Sequence, residues 1–81
     1  MKPVTGSLMR TKYVVYLHKE LIDWFNNLHS NVLVPENELV IFLHTGVTPT
    51  TEMNPFGYEL AEVITTGGRY GWFSLKALRA L

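Results

Sequence analysis

The stretch that decides the fold is residues 58–81, YELAEVITTGGRYGWFSLKALRAL. Val63, Ile64, Thr65 and Thr66 are β-branched, and Tyr58, Tyr70, Trp72 and Phe73 are aromatic. Both types suit a pleated, half-buried surface. Between the two runs stands Gly67-Gly68, which can take the positive φ that a two-residue primed turn requires. The segment reads as a hairpin in which Thr66 faces Arg69, Val63 faces Trp72 and Ile64 faces Gly71. Leu60, Ile64, Phe73 and Leu75 then share the core side. Glu62 falls on that side too, which counts against this register, and a one-residue slip exchanges the faces.

Length and composition bound what surrounds the hairpin. A chain of 81 residues makes one domain, which buries only about 60–65% of its unfolded surface. Its hydrophobic content is 47% and its charged content 17%, the latter below the ~25% usual for soluble domains. Such a chain can build a core and still offer apolar surface to a partner. It has no Cys, hence no disulfide and no thiolate metal site. Its longest apolar run, Leu39 to Leu43, is strand-sized, far from the ~20 residues of a membrane span. MKPVTGSLMR lacks the apolar block of a signal peptide. The expected location is the cytoplasm, or a virion or other assembly built there.

In chain order, residues 1–7 hold Pro3 and Gly6 and read as a loose arm or first edge. Residues 8–17 end in the strand-like Tyr13-Val14-Val15-Tyr16-Leu17. At residues 18–29 the period changes. Leu21, Trp24, Phe25 and Leu28 fall at i, i+3, i+4 and i+7, so one or two helical turns, or a long loop folding back on the core, are inserted here. Val32-Leu33-Val34 is a short apolar step, and Pro35-Glu36-Asn37-Glu38 is a turn. Leu39 to His44 is a strand apolar on both faces. Thr45 to Gly57, with Gly46, Pro49, Asn54, Pro55 and Gly57, is a loop of unusual length.

Short strands, a tight hairpin and few helical residues predict a mainly β chain closed as a small barrel. Residues 32–81 resemble an SH3-like barrel. Val34 to Asn37 stands at its diverging turn, Leu39 to Leu43 at the next strand, and Thr45 to Gly57 at the loop beside the ligand groove. Tyr58 leads the third strand, Thr66 to Arg69 stand at the distal turn and Gly71-Trp72-Phe73 opens the fourth strand. Ser74 to Ala77 stands at the 3₁₀ turn, and Leu78 closes the core. The resemblance implies one SH3-like five-stranded barrel spanning residues 1–81, with the short helix or long loop inserted near 18–29.

The departures from that family bear on function. Eukaryotic SH3 domains hold proline-rich helices in an aromatic-lined groove, and a Pro-x-x-Tyr follows their Gly-aromatic-apolar triplet. Here Ser74 stands at the Pro and Ala77 at the Tyr, while the aromatic pair opening the third strand is reduced to Tyr58 followed by Glu59. These residues argue against proline-rich recognition. The chain resembles better the bacterial and phage SH3-like modules that carry Gly-Trp plus an apolar residue there. Those modules serve wall binding, scaffolding or virion assembly, and fold likeness does not choose among them.

Sites for chemistry are scarce. His18, His29 and His44 have no metal-ligand spacing. Ser7, Ser30 and Ser74 carry no local base signature. Glu59 and Glu62 make no convincing acid pair, and Gly67-Gly68 lacks the Lys and helix of a phosphate loop. The expectation is a chain that is not an enzyme and needs no cofactor or metal.

Candidate binding residues are of two kinds. Trp24, Phe56, Tyr58 and Trp72 are possible aromatic anchors, although Trp24 can instead pack as a lid and Trp72 can lie beneath the N-terminal segment. Arg10, Lys12 and Arg79 belong to an uneven order of charge. Residues 1–19 hold Lys2, Arg10, Lys12 and Lys19 but no acid, residues 20–62 hold all seven acids, and residues 63–81 hold Arg69, Lys76 and Arg79. If the first and last strands are neighbours, the basic ends gather at one pole. The resulting expectation is a non-catalytic protein–protein or structural module, plausible as a repeated subunit of a bacterial or phage assembly, with protein partners or copies of itself. The alternative is a KOW-like nucleic-acid-binding barrel. Zero net charge and the lack of a basic run weigh against it.

Overall fold

Leu39 to Leu43, apolar on both faces, opens the longest strand of the computed structural model, which describes residues 3–81. This strand, β4 (Leu39–Val47), is the centre of a five-stranded antiparallel sheet. Its neighbours are β1 (Leu8–Thr11) on one side and β5 (Glu59–Thr65) on the other; β7 (Leu78–Ala80) flanks β1 and β6 (Tyr70–Ser74) flanks β5. A separate two-stranded sheet joins β2 (Val15–Tyr16) to β3 (Leu33–Val34). Helix α1 (Leu21–Phe25) lies between those two strands in sequence, and a 3₁₀ turn, Leu75–Ala77, leads into β7. The chain is therefore mainly β, as the residue types predict.

The hairpin forms with a different turn and register. Its loop has three residues. Gly68 N–H donates to the Thr65 carbonyl at 2.9 Å, and Thr65 N–H donates to the Arg69 carbonyl at 2.9 Å. Gly68 takes φ +83°, whereas Gly67 stays outside the positive-φ region. This is a tight turn followed by one left-handed residue, the usual three-residue hairpin. The pairs become Glu62 with Trp72, Val63 with Gly71 and Ile64 with Tyr70. The slip moves Ala61 and Val63 onto the core side with Phe73, and turns Glu62 and Ile64 away from it.

Strand β4 continues past His44, because Thr45, Gly46 and Val47 pair with Ala61, Leu60 and Glu59. The loop thus begins at residue 48 rather than Thr45. Pairing shifts between Phe42 and His44, leaving Leu43 as a bulge. By strict alternation His44 would follow Val40 and Phe42 into the core; the bulge turns it outward, opposite Glu62.

One core fills the inner side: Met9, Leu17, Val34, Val40, Phe42, Ala61, Val63, Phe73, Ala77 and Leu78. Buried Thr11 fixes the turn at residues 35–38. Its hydroxyl donates to the Pro35 carbonyl at 2.6 Å and accepts from Glu38 N–H at 3.0 Å. Of residues 1–7, expected as a loose arm or first edge, 1 and 2 lie outside the described residues, while Gly6 N–H donates to the Phe42 carbonyl at 2.6 Å and Phe42 N–H to the Ser7 carbonyl at 3.0 Å, which ties the segment to β4.

Leu60 is fully buried but lies outside that core cluster. It is paired with Gly46, on the outer side of the sheet that α1 covers. Leu21 and Trp72 press on this patch so closely that a Cβ at Gly46 would sit 2.6 Å from Leu21 Cδ1 and 2.9 Å from Trp72 Cζ3. Gly46 is therefore a packing residue, not the loop residue its sequence context implies. The helix ends where Asn27 turns left-handed at φ 56°. That ending leaves Leu28, the last residue of the predicted apolar stripe, exposed rather than packed.

Candidate functional site

The helix that covers the sheet also builds a cleft. Trp24 emerges from α1 half-buried, and its ring meets Tyr58 edge to face, centroids 5.7 Å apart at 61°. Tyr58 is held by the neck of the long loop: its N–H donates to Thr48 Oγ1 at 2.7 Å, and Thr48 N–H donates to the Tyr58 carbonyl at 2.9 Å. The opposite wall is the 3₁₀ turn, where Ser74 Oγ accepts from Lys76 N–H at 3.3 Å. Trp24, Tyr58, Glu59, Ser74, Leu75 and Lys76 enclose an open space of about 360 Å³. Its rings and Leu75 suit an apolar side chain, and Lys76 supplies an exposed charge at the rim.

The four predicted aromatic anchors therefore separate. Trp24 and Tyr58 come together in the cleft. Phe56 stands 86% exposed on the adjoining loop, beside Met53 at 95%. Trp72 points to the outer side, as alternation with Phe73 requires, but it is half-buried beneath α1 and His18. His18 N–H donates to the Trp72 carbonyl at 3.0 Å, and Trp72 N–H donates back at 2.7 Å. Its ring packs at 80° against His44, centroids 5.3 Å apart, and His44 Nε2 lies 2.7 Å from Glu62 Oε1. Trp72 is a structural floor, and its bridge to His18 caps an otherwise open sheet edge.

The basic residues divide as well. Strands β1 and β7 do pair, which sets Arg10 directly opposite Arg79. Both guanidiniums converge on Asn37: Arg10 Nη1 donates to its carbonyl at 2.8 Å and Arg79 Nη2 to its Oδ1. Lys12 is exposed, and its N–H donates to the Ala77 carbonyl at 2.7 Å. Lys19 and Arg69 lie elsewhere, lining a hollow of about 530 Å³ with His18, Asp23 and His29. Lys2 lies outside the described residues. The basic ends thus gather only in part. The turn bearing Glu36 and Glu38 is hydrogen-bonded to Thr11, between Arg10 and Lys12, so acids stand beside this group rather than at a far pole.

The histidines hold separate partners. His18 Nε2 is 3.1 Å from the Leu28 carbonyl, His29 Nε2 is 2.6 Å from Asn31 Oδ1, and His44 faces Glu62. Among the described residues no three potential metal ligands converge. Glu59 borders the cleft while Glu62 meets His44, so the two carboxylates serve different places. The arrangement can hold an apolar group. Sequence reasoning missed Leu75 and Lys76 as walls of the cleft. The only signal was the 3₁₀ punctuation after Phe73, which places the turn without saying what faces it.

No protein-family model matches the chain. Neither a curated protein nor a solved structure matches it.

Proposed function

We propose that this chain is a non-catalytic interaction module with an SH3-like barrel architecture, working as a structural or docking subunit of a bacterial or phage assembly, in the cytoplasm or in the particle itself. The strand order β6-β5-β4-β1-β7 supports the architecture. It brings the last strand back beside the first, with the β2–α1–β3 excursion between β1 and β4 and a 3₁₀ turn before β7. Among the described residues no helix is long and apolar enough to cross a membrane.

The observation that carries the functional reading is the Trp24–Tyr58 contact, which opens an apolar, charge-rimmed cleft between the inserted helix, the long loop and the 3₁₀ turn. Aromatic side chains in such places dominate binding energy at protein interfaces. The test is selection of a random displayed-peptide library on the full chain, with counter-selection on Trp24→Ala and Tyr58→Ala. Peptides that need both rings support the reading. Peptides that bind both variants as well as the wild type refute it.

The paired Arg10 and Arg79 favour a second reading, the KOW-like nucleic-acid-binding barrel. It predicts retention on heparin at moderate salt, lost when both arginines become Glu. Zero net charge and the acids beside them make it the weaker reading.

A further inference from the structure

We infer that the occupant of the Trp24–Tyr58 cleft is a second copy of this chain, whose Phe56 enters it while the first copy's Phe56 enters the partner cleft in return. The inference rests on reading that cleft as a docking site. Its own observations are the plug, the socket and their charges.

The plug is built, not loose. Thr51 and Asn54 exchange backbone hydrogen bonds at 3.0 and 3.2 Å, Asn54 N–H also donates to Thr51 Oγ1 at 3.0 Å, and Gly57 N–H donates to the Asn54 carbonyl at 3.3 Å. This internal bonding presents Met53 and Phe56 to solvent at 95% and 86% exposure. Two large apolar side chains held outward on one ordered loop mark an interaction surface.

The socket lies on the same side of the molecule. Tyr58 follows Phe56 by two residues, yet Phe56 stands exposed and does not line the cleft. A chain that carries an apolar plug beside an apolar socket, and leaves them unjoined, is self-complementary. A two-fold axis between copies satisfies both at once and closes the assembly at a dimer.

Charge selects a copy of the chain over an unrelated apolar partner. The only charged residue of loop 48–58 is Glu52, next to Met53. The cleft lining carries Lys76, exposed like Glu52, and Glu59, half-buried in its wall. Each plug thus brings an acid toward Lys76, the more exposed of the two charges in the lining. The zero net charge of the chain removes the general repulsion that keeps copies apart.

The experiment is sedimentation velocity of the full chain from about 10 µM to about 1 mM, since a contact of this size belongs to the small, weak class of interfaces. A reversible monomer–dimer equilibrium is expected. Phe56→Ala should weaken it by at least about tenfold while leaving the melting temperature of the dilute monomer unchanged, because the ring is exposed there. Glu52→Lys and Lys76→Glu should each weaken it as well. An equimolar mixture of these two variants should recover association, because in the mixed dimer both loop–rim contacts pair opposite charges. A monomer throughout, a Phe56→Ala dimer of undiminished strength, or a mixture no stronger than its components would overturn the proposal. If the chain stays monomeric while displayed peptides still need Trp24 and Tyr58, self-association fails and the docking reading stands. If neither occurs, both fail.

Discussion

Arg10 and Arg79 stand directly opposite each other across β1 and β7, and both guanidiniums donate to Asn37. Asn37 accepts the two with its carbonyl and its side chain while in the left-handed conformation, φ 66°. It is a neutral acceptor, so it orients the pair without cancelling its charge. Like charges opposite one another weaken a strand pair by about 0.2–1 kcal/mol. Arg79→Glu should therefore be more stable than Arg79→Ala, which loses the same bond to Asn37, by a similar amount in urea denaturation at low salt. The gain should shrink at 1 M salt, where the Debye length falls to about 3 Å. If Arg79→Glu and Arg79→Ala behave alike at both salts, the two arginines do not repel.

The turn gives a discriminating pair of substitutions. Gly68 holds φ +83°, where an L side chain costs about 1–2 kcal/mol. Gly67 does not, and a Cβ there meets only Thr65 Oγ1, at 3.8 Å. Gly68→Ala should lower stability by about 1–2 kcal/mol, and Gly67→Ala by no more than about 0.5 kcal/mol. Equal losses at both positions would point back to a two-residue turn and the other register.

The contact of α1 with the sheet can be tested at Gly46. A methyl group there collides with Leu21 and Trp72, and overpacking of this kind costs about 1–3 kcal/mol. Leu21→Ala removes one of the two clashing groups. The double variant should be more stable than the sum of the single effects predicts, a coupling that equilibrium unfolding of all four proteins measures. Additive losses would mean that the helix is not seated on Gly46.

These substitutions also mark where sequence reading stops. The hairpin, the turn at residues 35–38 and the short helix are legible because local residue types dictate them. The register was not, since Gly67-Gly68 serves two-residue and three-residue loops alike, and the choice falls to Gly68 and the Thr65 hydrogen bonds. Thr45-Gly46-Val47 reads as loop because Gly commonly breaks strands, yet here its missing side chain admits Leu21 and Trp72. Of the cleft, Tyr58 was legible as the residue opening its strand. Trp24 was known only to share a helical stripe, and whether that stripe meets Tyr58 is decided by tertiary packing. The Arg10–Arg79 pairing follows from the return of the last strand to the first. The failure of a clean basic pole follows from Thr11, which ties the acidic turn beside them.

The last prediction concerns proline-rich peptides, which the family resemblance raises and the cleft disfavours. A polyproline helix is read by grooves whose aromatic walls accept successive turns of its three-residue repeat. Ala77, which the resemblance sets at one such wall, is buried in the core and offers no ring to the surface. Ser74 contributes only a hydroxyl, already engaged with Lys76 N–H. The rings of Trp24 and Tyr58 do border a cleft, but they stand at 61° to one another, edge against face, rather than as parallel walls. That geometry suits a single inserted side chain better than a ridged helix. Titration with PxxP peptides should therefore leave the amide signals of Tyr58, Leu75 and Lys76 without saturable shifts, even at millimolar peptide. A peptide with an isolated Phe flanked by acids should shift the same signals, and the shifts should vanish in Tyr58→Ala. Micromolar PxxP binding at these residues would instead make the cleft a polyproline groove, with Trp24 replacing the ring that the 3₁₀ turn lacks.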